Sequence, residues 1–275
     1  MAISAADVMK LRKATGAGMM DCKNALTEAD GDFNRAVEII RERGKLVASK
    51  RSDREASEGA VLAKVSSDGK FGAVIVLNCE TDFVAKNDGF VAVAQSFLNV
   101  AVENKPADLD ALKALKLDGR TLADHVTEQT GVIGEKIDLS FFGSLEAASV
   151  VAYIHPGNKL ATVVGFNQAG IDQQVAKDVA MQVAAMNPVA VDKDFVPAEV
   201  VEKELEIAKE KFRQEGKPEA MLDKIAQGAL AKFFKESTLL NQAFVKDNKL
   251  SVQEYLTSNS KGLTATGFIR FGLNE

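Results

Sequence analysis

Three carboxylates closely follow an apolar segment and are the first residues that could do chemistry. Glu80, Asp82 and Asp88 could together bind Mg²⁺ or act as an acid–base pair. Each is followed by ordinary loop residues, however, and nothing nearby in the sequence would hold a substrate. A Mg²⁺-dependent hydrolase is therefore an alternative that these residues leave open, and it predicts metal binding by the isolated chain.

The other residues that commonly carry out catalysis form no motif. Cys22 and Cys79 belong to apolar patterns without a CxxC spacing, which predicts buried free thiols rather than a disulfide or a metal site. His125 and His155 lie far apart in the sequence and outside any HxxxH spacing. The sequence also contains no GxxxxGK[ST], GxGxxG or GxSxG. We therefore expect no enzyme activity, no cofactor, no bound metal and no direct binding of nucleotide.

An aromatic residue beside these carboxylates indicates a different kind of function, contact with another protein. Residues 73–77 are an unbroken apolar run, typical of a strand that is buried on both faces. Phe83 comes shortly after this run, beside Asp82. One interpretation is that Phe83 folds back under the sheet while Thr81 and Asp82 cap the next helix. The other is that the strand presents Phe83 to a partner.

The composition limits the class of protein. The chain has 275 residues, 46% of them hydrophobic, which is enough for more than one core. The formal net charge of -5 argues against non-specific nucleic-acid binding, which depends on a basic surface. The N-terminus lacks the basic and apolar regions of a signal peptide, and no apolar run approaches the length of a membrane span. These features predict a soluble cytoplasmic protein that binds neither nucleic acid nor membranes.

The first 45 residues predict three short helices. Ser4 and Asp32 are suitable N-caps for the first and third helices, and Gly44 stands where the third would end. This pattern resembles a ubiquitin-associated type of domain, whose role is to bind partners. Met19 and Met20 follow a loop of small residues and lie off the apolar stripe of the second helix. Their position suits an exposed contact surface, although one of them could instead close the small core.

Two later parts of the chain repeat one pattern. A hairpin signal of two apolar runs joined by a turn occurs at residues 60–75 and again at 149–164, at a constant offset of 89 residues (159 − 70). A helix follows each hairpin, and a later helix and strand complete each copy. We therefore predict an α+β fold with two related subdomains, each a three-stranded antiparallel sheet covered by helices.

The two copies differ at the position of Phe83. After its central strand, the second copy continues with small and polar residues at 167–172. The scaffold therefore does not need Phe83 for folding, and this difference favours a functional role for the side chain.

A segment inserted in the second copy predicts a protruding antiparallel helical hairpin. Pro197 and Pro218 suit the first turns of two helices, and residues 215–217 turn the chain between them. A narrow apolar seam along both helices either binds a second copy of the chain or another protein, or is covered by the two helices and the core. The seam residues are Val201, Leu205, Ala208 and Phe212 on the first helix and Met221, Leu222, Ile225, Ala229 and Phe233 on the second.

These patterns divide the chain into five parts. The expected boundaries are 1–45 for the ubiquitin-associated-like three-helix domain, 46–58 for a polar linker, 59–143 for the N-terminal core subdomain, 144–187 with 234–275 for the C-terminal core subdomain, and 188–233 for the helical hairpin.

Three motifs together resemble one family, the bacterial elongation factors Ts, which are guanine-nucleotide exchange factors for the GTPase elongation factor Tu. The motifs are Leu-Arg at 11–12 with the loop and helix at 15–26, Asn-Cys-Glu-Thr-Asp-Phe-Val-Ala-Lys at 78–86, and Thr-Gly-Phe-Ile-Arg-Phe at 266–271. The resemblance covers the whole chain. It implies a ubiquitin-associated-like domain, two related core subdomains and a helical dimerisation hairpin, which allows a homodimer through residues 188–233.

The resemblance also implies roles for individual residues. The 81–84 segment (Thr81, Asp82, Phe83 and Val84) resembles the part of the family that dislodges Mg²⁺ from the GTPase. The other implied residues bind the GTPase: Leu11, Arg12, Thr15, Gly16, Met19 and Met20 contact its G domain, and His155 and Gly157 contact a more distant domain.

The function that the resemblance implies is nucleotide exchange. The chain would bind elongation factor Tu with GDP, dislodge Mg²⁺, and promote GDP release and GTP rebinding. An alternative that the residues leave open is an adaptor or chaperone. Such a protein would tether a client through its ubiquitin-associated-like domain without changing the client's nucleotide.

Overall fold

The structure is a computed structural model that describes residues 3–273 and 275. Its helices are α1 (Ala5–Thr15), α2 (Met19–Glu28), α3 (Phe33–Lys50), α4 (Asp82–Ala85), α5 (Asp88–Asn104), α6 (Leu109–Ala114), α7 (Leu122–Ile133), α8 (Gln173–Met186), α9 (Ala198–Gln214), α10 (Glu219–Ser237) and α11 (Val252–Asn259), with a 3-10 turn at Lys193–Phe195. Its strands are β1 (Glu58–Val65), β2 (Phe71–Cys79), β3 (Lys116–Leu117), β4 (Arg120–Thr121), β5 (Asp138–Glu146), β6 (Ser149–Ile154), β7 (Leu160–Phe166), β8 (Ala243–Phe244), β9 (Asp247–Ser251) and β10 (Ala265–Gly272).

The three predicted N-terminal helices are present, and their starts have the predicted caps. The Ser4 side chain accepts a hydrogen bond from the Asp7 N–H, and the Asp7 carboxylate accepts from the Ser4 N–H, which forms a capping box. The Asp32 side chain caps α3. The apolar faces of α1, α2 and α3 meet in one small core. Its fully buried members include Leu11, Cys22, Ala25 and Ala36.

The prediction that Gly44 ends the third helix is wrong. Helix α3 continues to Lys50, so residues 46–50 of the expected linker are helical, and β1 begins at Glu58. Gly44 is buried where α3 crosses α7, and a Cβ added to Gly131 of α7 would overlap the Gly44 backbone. Gly44 therefore lies at a close crossing of two helices, which requires glycine at position 131, and does not form a left-handed helix end.

The two predicted three-stranded antiparallel sheets are present and have equivalent strand arrangements. Their orders are β1-β2-β5 and β10-β7-β6, so the second strand of each hairpin is central. Strand β1 ends at Val65 and β6 ends at Ile154, a difference of 89 residues (154 − 65). Strand β2 begins at Phe71 and β7 begins at Leu160, again a difference of 89 (160 − 71). Strand β5 extends to Glu146, beyond the subdomain boundary expected at 143, because it pairs with β2 as far as Phe71.

The two sheets pack face to face, and helices cover their outer faces. Valine and alanine side chains of β1, β2 and β7 form the layer between the sheets. Helix α5 packs on the first sheet, and α8 and α11 pack on the second. Gly72 lies at the interface, where an added Cβ would come within 2.6 Å of side-chain atoms of Val150 and Val163. Strand β2 is buried along its whole length, as the apolar run at 73–77 predicted.

Helices α9 and α10 form the predicted antiparallel hairpin and contact each other along their length. Ala208 on α9 and Leu222 on α10 are buried, as predicted, but the rest of the α10 seam is displaced by one position. Its buried residues are Leu222, Ala226 and Leu230, whereas Met221 is half exposed. Apolar residues at adjacent positions offer two overlapping stripes, and only packing against α9 selects one of them. Helix α10 also continues past the boundary expected at 233.

Candidate functional site

The 81–84 segment follows the buried strand β2 directly and contains most of the single-turn helix α4. Each residue of β2 is buried, which fixes the point from which the segment starts. Val84 and Ala85 pack against the core of the first subdomain, whereas Phe83 has 83% of its surface exposed. The interpretation that Phe83 folds back under the sheet is therefore wrong. Its ring projects into solvent from a fixed base.

Thr81 caps α4, as predicted, and is bound by Glu135, a residue that sequence reasoning missed. The Thr81 Oγ1 atom accepts a hydrogen bond from the Val84 N–H at 3.5 Å and donates to Glu135 Oε1 at 2.7 Å. Glu135 Oε2 accepts from the backbone N–H groups of Glu80, at 3.1 Å, and Thr81, at 3.0 Å. Because Glu135 is 54 residues away from Thr81 in the sequence, no local pattern could have indicated this contact.

The carboxylates of Glu80 and Asp82 are engaged in separate contacts. Glu80 Oε1 accepts hydrogen bonds from the Lys136 N–H at 2.6 Å and from Arg51 Nη1 at 2.7 Å. These two bonds hold the pKa of Glu80 below its ordinary value. Asp82 forms a surface ion pair with Lys86 at 2.6 Å, and this hydrogen bond lowers the pKa of Asp82. Both carboxylates are therefore ionised at neutral pH.

The Glu80 contacts predict a loss of stability in acid. A carboxylate whose pKa is lowered by folding stabilises the folded chain above its ordinary pKa of 4.5, and this contribution is lost as the pH falls through the lower folded-state pKa. We therefore expect Glu80→Gln to reduce the free energy of unfolding at neutral pH and to have a smaller effect near pH 3. Urea unfolding of both proteins at the two pH values measures this difference. An effect of equal size at both would contradict the prediction.

The thiol beside this segment is held in its protonated form. Burial, together with the charge of Glu135, raises the pKa of the Cys79 thiol to about 12. Its Sγ donates to the Thr81 carbonyl oxygen at 3.2 Å. Cys22 is also buried, and both cysteines are free, as predicted.

The methionines of the N-terminal domain are exposed. Met19 and Met20 lie at the start of α2 with exposed fractions of 40% and 64%, and neither belongs to the small core. The alternative in which one of them closes that core is therefore wrong. Arg12 is exposed near the end of α1. These three side chains are available to a partner.

Two other implied contact residues are inside the N-terminal domain. Leu11 is fully buried and Thr15 is 6% exposed, so their side chains cannot touch a partner directly in this structure. Thr15 Oγ1 donates to the Leu11 carbonyl oxygen at 2.8 Å and holds the last turn of α1. Gly16 is exposed and ends α1 with a φ of 71°, in the left-handed region that favours glycine. Leu11, Thr15 and Gly16 therefore shape the loop that precedes Met19.

His155 and Gly157 lie in the turn between β6 and β7, and both are exposed. His155 Nδ1 is 2.9 Å from the hydroxyl oxygen of Tyr153, a hydrogen bond that orients the imidazole ring. The imidazole is therefore available at the surface of the second subdomain.

This turn lies on the same side of the core as the 81–84 segment. In this turn, the Asn158 carbonyl oxygen accepts a hydrogen bond from the Val61 N–H of β1 at 2.7 Å. Lys159, just after the turn, pairs with Glu58 at the start of β1 at 2.9 Å. After the hydrogen bond from Lys86, the nearby charge of Lys159 also lowers the pKa of Asp82. The packing of the two sheets thus brings together two predicted sites that are far apart in the sequence.

The residues that the structure describes contain neither a cluster of metal ligands nor a helix that could cross a membrane. In the ranges 3–273 and 275, no group of three or more His, Cys, Asp and Glu side chains is arranged to hold a metal ion, and this includes the carboxylates of Glu80, Asp82 and Asp88. None of the helices in the same ranges has both the length and the apolar content required to cross a bilayer.

Comparison with known proteins identifies the family. A family model described as Elongation factor TS matches residues 80–275. The chain is 56% identical over 275 residues to the elongation factor Ts of Porphyromonas gingivalis, which covers 100% of this chain and 99% of that protein. It is 53% identical over 274 residues to that of Azobacteroides pseudotrichonymphae, with 100% and 99% covered, and 54% identical over 272 residues to that of Amoebophilus asiaticus, with 98% of each covered. The resemblance carried by the three motifs is confirmed. The chain therefore belongs to the elongation factor Ts family and is a translation elongation factor.

Proposed function

We propose that this chain is a guanine-nucleotide exchange factor for elongation factor Tu. It binds the GDP form of the GTPase, dislodges Mg²⁺ through the 81–84 segment, and promotes the release of GDP and the rebinding of GTP. The observation that carries this proposal is the 83% exposure of Phe83 on a short helix attached to a completely buried strand. An exposed aromatic residue on a fixed support is suited to insert into a partner.

The mechanism requires a change in the partner's metal site. Phe83 inserts between side chains of the G domain and shifts an element that helps to hold Mg²⁺, while the ionised Asp82 acts on the same network through its charge. Loss of the cation leaves the negative charge of the diphosphate poorly compensated, so GDP dissociates. The exposed side chains of the N-terminal domain and the turn at 155–158 provide binding energy that offsets this distortion.

The same mechanism gives the chain no catalytic residue of its own. Exchange is a negative coupling between two ligands of the GTPase, and coupling of this kind is reciprocal. GDP or GTP must therefore weaken the affinity of the GTPase for this chain as much as the chain weakens the affinity for nucleotide. We accordingly propose a binding protein that acts in the cytoplasm, and not an enzyme.

Release of a fluorescent GDP analogue from elongation factor Tu, followed by stopped flow, tests the proposal. The release rate should rise with the concentration of this chain. The acceleration should shrink when the free Mg²⁺ is removed with EDTA, because the step that the 81–84 segment promotes has then already occurred. Equal release rates with and without the chain would reject exchange and favour the adaptor alternative.

The exposed methionines of the N-terminal domain should contribute mainly to affinity. Met19→Ala combined with Met20→Ala removes two flexible apolar side chains with exposed fractions of 40% and 64%. We expect the dissociation constant for elongation factor Tu to rise roughly tenfold, which corresponds to about 1.4 kcal/mol for the two truncated side chains together. The release rate at saturating concentration should change little. Isothermal titration calorimetry measures the affinity, and an unchanged value would refute the assignment.

A further inference from the structure

The single-turn helix that carries Phe83 depends on contacts outside itself. Helix α4 has only four residues, Asp82–Ala85, and a helix of this length is not stable alone. Val84 and Ala85 attach one side of it to the core. At its N-terminus, the N–H groups that the helix leaves without partners need acceptors from elsewhere. The orientation of Phe83 is therefore set by whatever holds that end.

Glu135 holds it. The carboxylate accepts three hydrogen bonds, from the N–H groups of Glu80 and Thr81 and from the Thr81 hydroxyl. Because the hydroxyl donates to Glu135, its oxygen lone pairs are directed to the Val84 N–H, which it caps. Three bonds to one ionised acceptor fix both the backbone before α4 and the cap of α4.

A second carboxylate contact runs in the opposite direction. Glu80 accepts from the Lys136 N–H, so each of the two segments, 80–81 and 135–136, supplies a carboxylate to the backbone of the other. The same Glu80 oxygen binds Arg51, and the Lys136 side chain donates to backbone carbonyl oxygens just after α3. The base of the 81–84 segment is thereby joined to the helix that leads from the N-terminal domain.

The second copy of the fold shows which part of this arrangement is particular to the first. Asn167 occupies the position equivalent to residue 78 (78 + 89 = 167). Asn167 and Gln168 donate to the carbonyl oxygens of Gly262 and Lys261, both at 2.9 Å. In both copies, side chains therefore join the connector after the central strand to the segment that follows a later helix. That helix is α7 in the first copy and α11 in the second. The second copy uses neutral amides and has no counterpart of Phe83, whereas the first uses ionised carboxylates and presents the ring.

We propose that Glu135 positions the 81–84 segment, so that Phe83 projects in a single orientation before any partner binds. The effect of this residue on nucleotide release rests on the proposed function. Its effect on the segment itself does not. Glu135 acts through Thr81 and α4 and is a positioning residue, with no contact to the reacting nucleotide.

Hydrogen exchange of the full-length chain, read by NMR, tests the structural half of the proposal, that Glu135 fixes the 81–84 segment. In Glu135→Ala the amides of Thr81 and Val84 should exchange roughly tenfold faster or more, the change expected when hydrogen bonds to a charged acceptor are lost. The amides of β2 should keep their protection. Thr81→Val, which removes the acceptor of the Val84 N–H but keeps the bonds from Glu135 to the backbone, should accelerate exchange at Val84 and change exchange at residue 81 much less. It provides the same readout if Glu135→Ala does not fold.

Release of fluorescent GDP from elongation factor Tu tests the functional half. Glu135→Ala should slow release at saturating concentration roughly tenfold while leaving the affinity for the GTPase within about twofold, because a smaller fraction of molecules presents Phe83 correctly. Glu135→Gln should retain most of the activity, since its carbonyl can accept from the two N–H groups and its amide can donate to Thr81. Glu146→Ala is a matched control. Among the described residues that carboxylate, 64% exposed, pairs with the exposed Lys105, and its loss should change neither readout.

Three results would overturn the inference. Unchanged exchange at Thr81 and Val84 in Glu135→Ala would show that Glu135 does not hold the segment. Faster exchange with unchanged GDP release, in an assay where Phe83→Ala does slow release, would show that positioning has no consequence and would leave the proposed function standing. If Phe83→Ala also left the rate of GDP release from elongation factor Tu unchanged, the proposed function would fail. The functional half of this proposal would then fail with it.

Discussion

Phe83→Ala is expected to slow the release of GDP from elongation factor Tu by roughly 30-fold, which corresponds to about 2 kcal/mol, a loss typical of truncating a central aromatic residue at an interface. Phe83 is almost wholly exposed, so the substitution removes nothing from the core of the chain and should leave its unfolding temperature unchanged. The affinity for the nucleotide-free GTPase should change less than the release rate. An interaction used to deform the partner contributes to the transition state more than to the bound complex.

Phe195→Ala is the matched control for this experiment. Phe195 is the same residue type, is 71% exposed, and lies in the 3-10 turn before α9 rather than beside β2. Its substitution should leave the release rate as in the parent chain. If elongation factor Tu released GDP as fast with Phe83→Ala as with the parent chain, the insertion mechanism would be rejected. Equal slowing by both substitutions would show that the effect is not specific to the 81–84 segment.

The parts of the fold that could be predicted from the sequence are those that neighbouring residues determine. Ser4 and Asp32 cap helices a few residues away, and the alternation and turns of the two hairpins lie within about fifteen residues. The uninterrupted apolar run at 73–77 predicted a strand covered on both sides, and helix α5 and the second sheet provide that cover. Repetition at a constant offset then predicted that both sheets share one arrangement.

The parts that could not be predicted depend on residues that are distant in the sequence. Gly44 has the same local signature whether a helix ends there or crosses another helix, and only the position of Gly131 decides between them. Glu135 is an ordinary exposed-looking glutamate until the fold places it beside Thr81. The stripe on α10 that continues through Ala226 and Leu230 is no more apolar in sequence than the predicted one through Ile225 and Ala229.

The candidate site shows the same division. The sequence left two positions open for Phe83, and the comparison of the two copies favoured exposure because the second copy folds without an aromatic residue there. The motif that contains Leu11 and Thr15 combines residues that build the loop with residues that the loop presents. A resemblance between sequences cannot separate these two classes, whereas burial does.

The crossing of α3 and α7 determines where the N-terminal domain lies relative to Phe83, and Gly131→Ala should disturb it. A Cβ at Gly131 would overlap backbone atoms of Gly44, which cannot rotate away as a side chain can, so the two helices must separate. We expect the free energy of unfolding to fall by about 2 kcal/mol, within the range for overpacking, despite the gain in helix propensity from replacing a glycine. Calorimetry measures the stability. Trypsin should also cleave faster at Lys50 and Arg51, where α3 leaves the crossing.

Gly44→Ala tests whether this effect comes from the contact geometry or from the loss of a glycine. A Cβ at Gly44 would be 3.5 Å from the Gly131 Cα, an ordinary van der Waals distance. This substitution should therefore leave the chain equally stable or stabilise it by up to about 1 kcal/mol, the helix propensity difference between alanine and glycine. Similar destabilisation by both substitutions would contradict the asymmetry of the crossing. Because the crossing places Met19 and Met20 relative to the 81–84 segment, Gly131→Ala should weaken binding to elongation factor Tu, and Gly44→Ala should not.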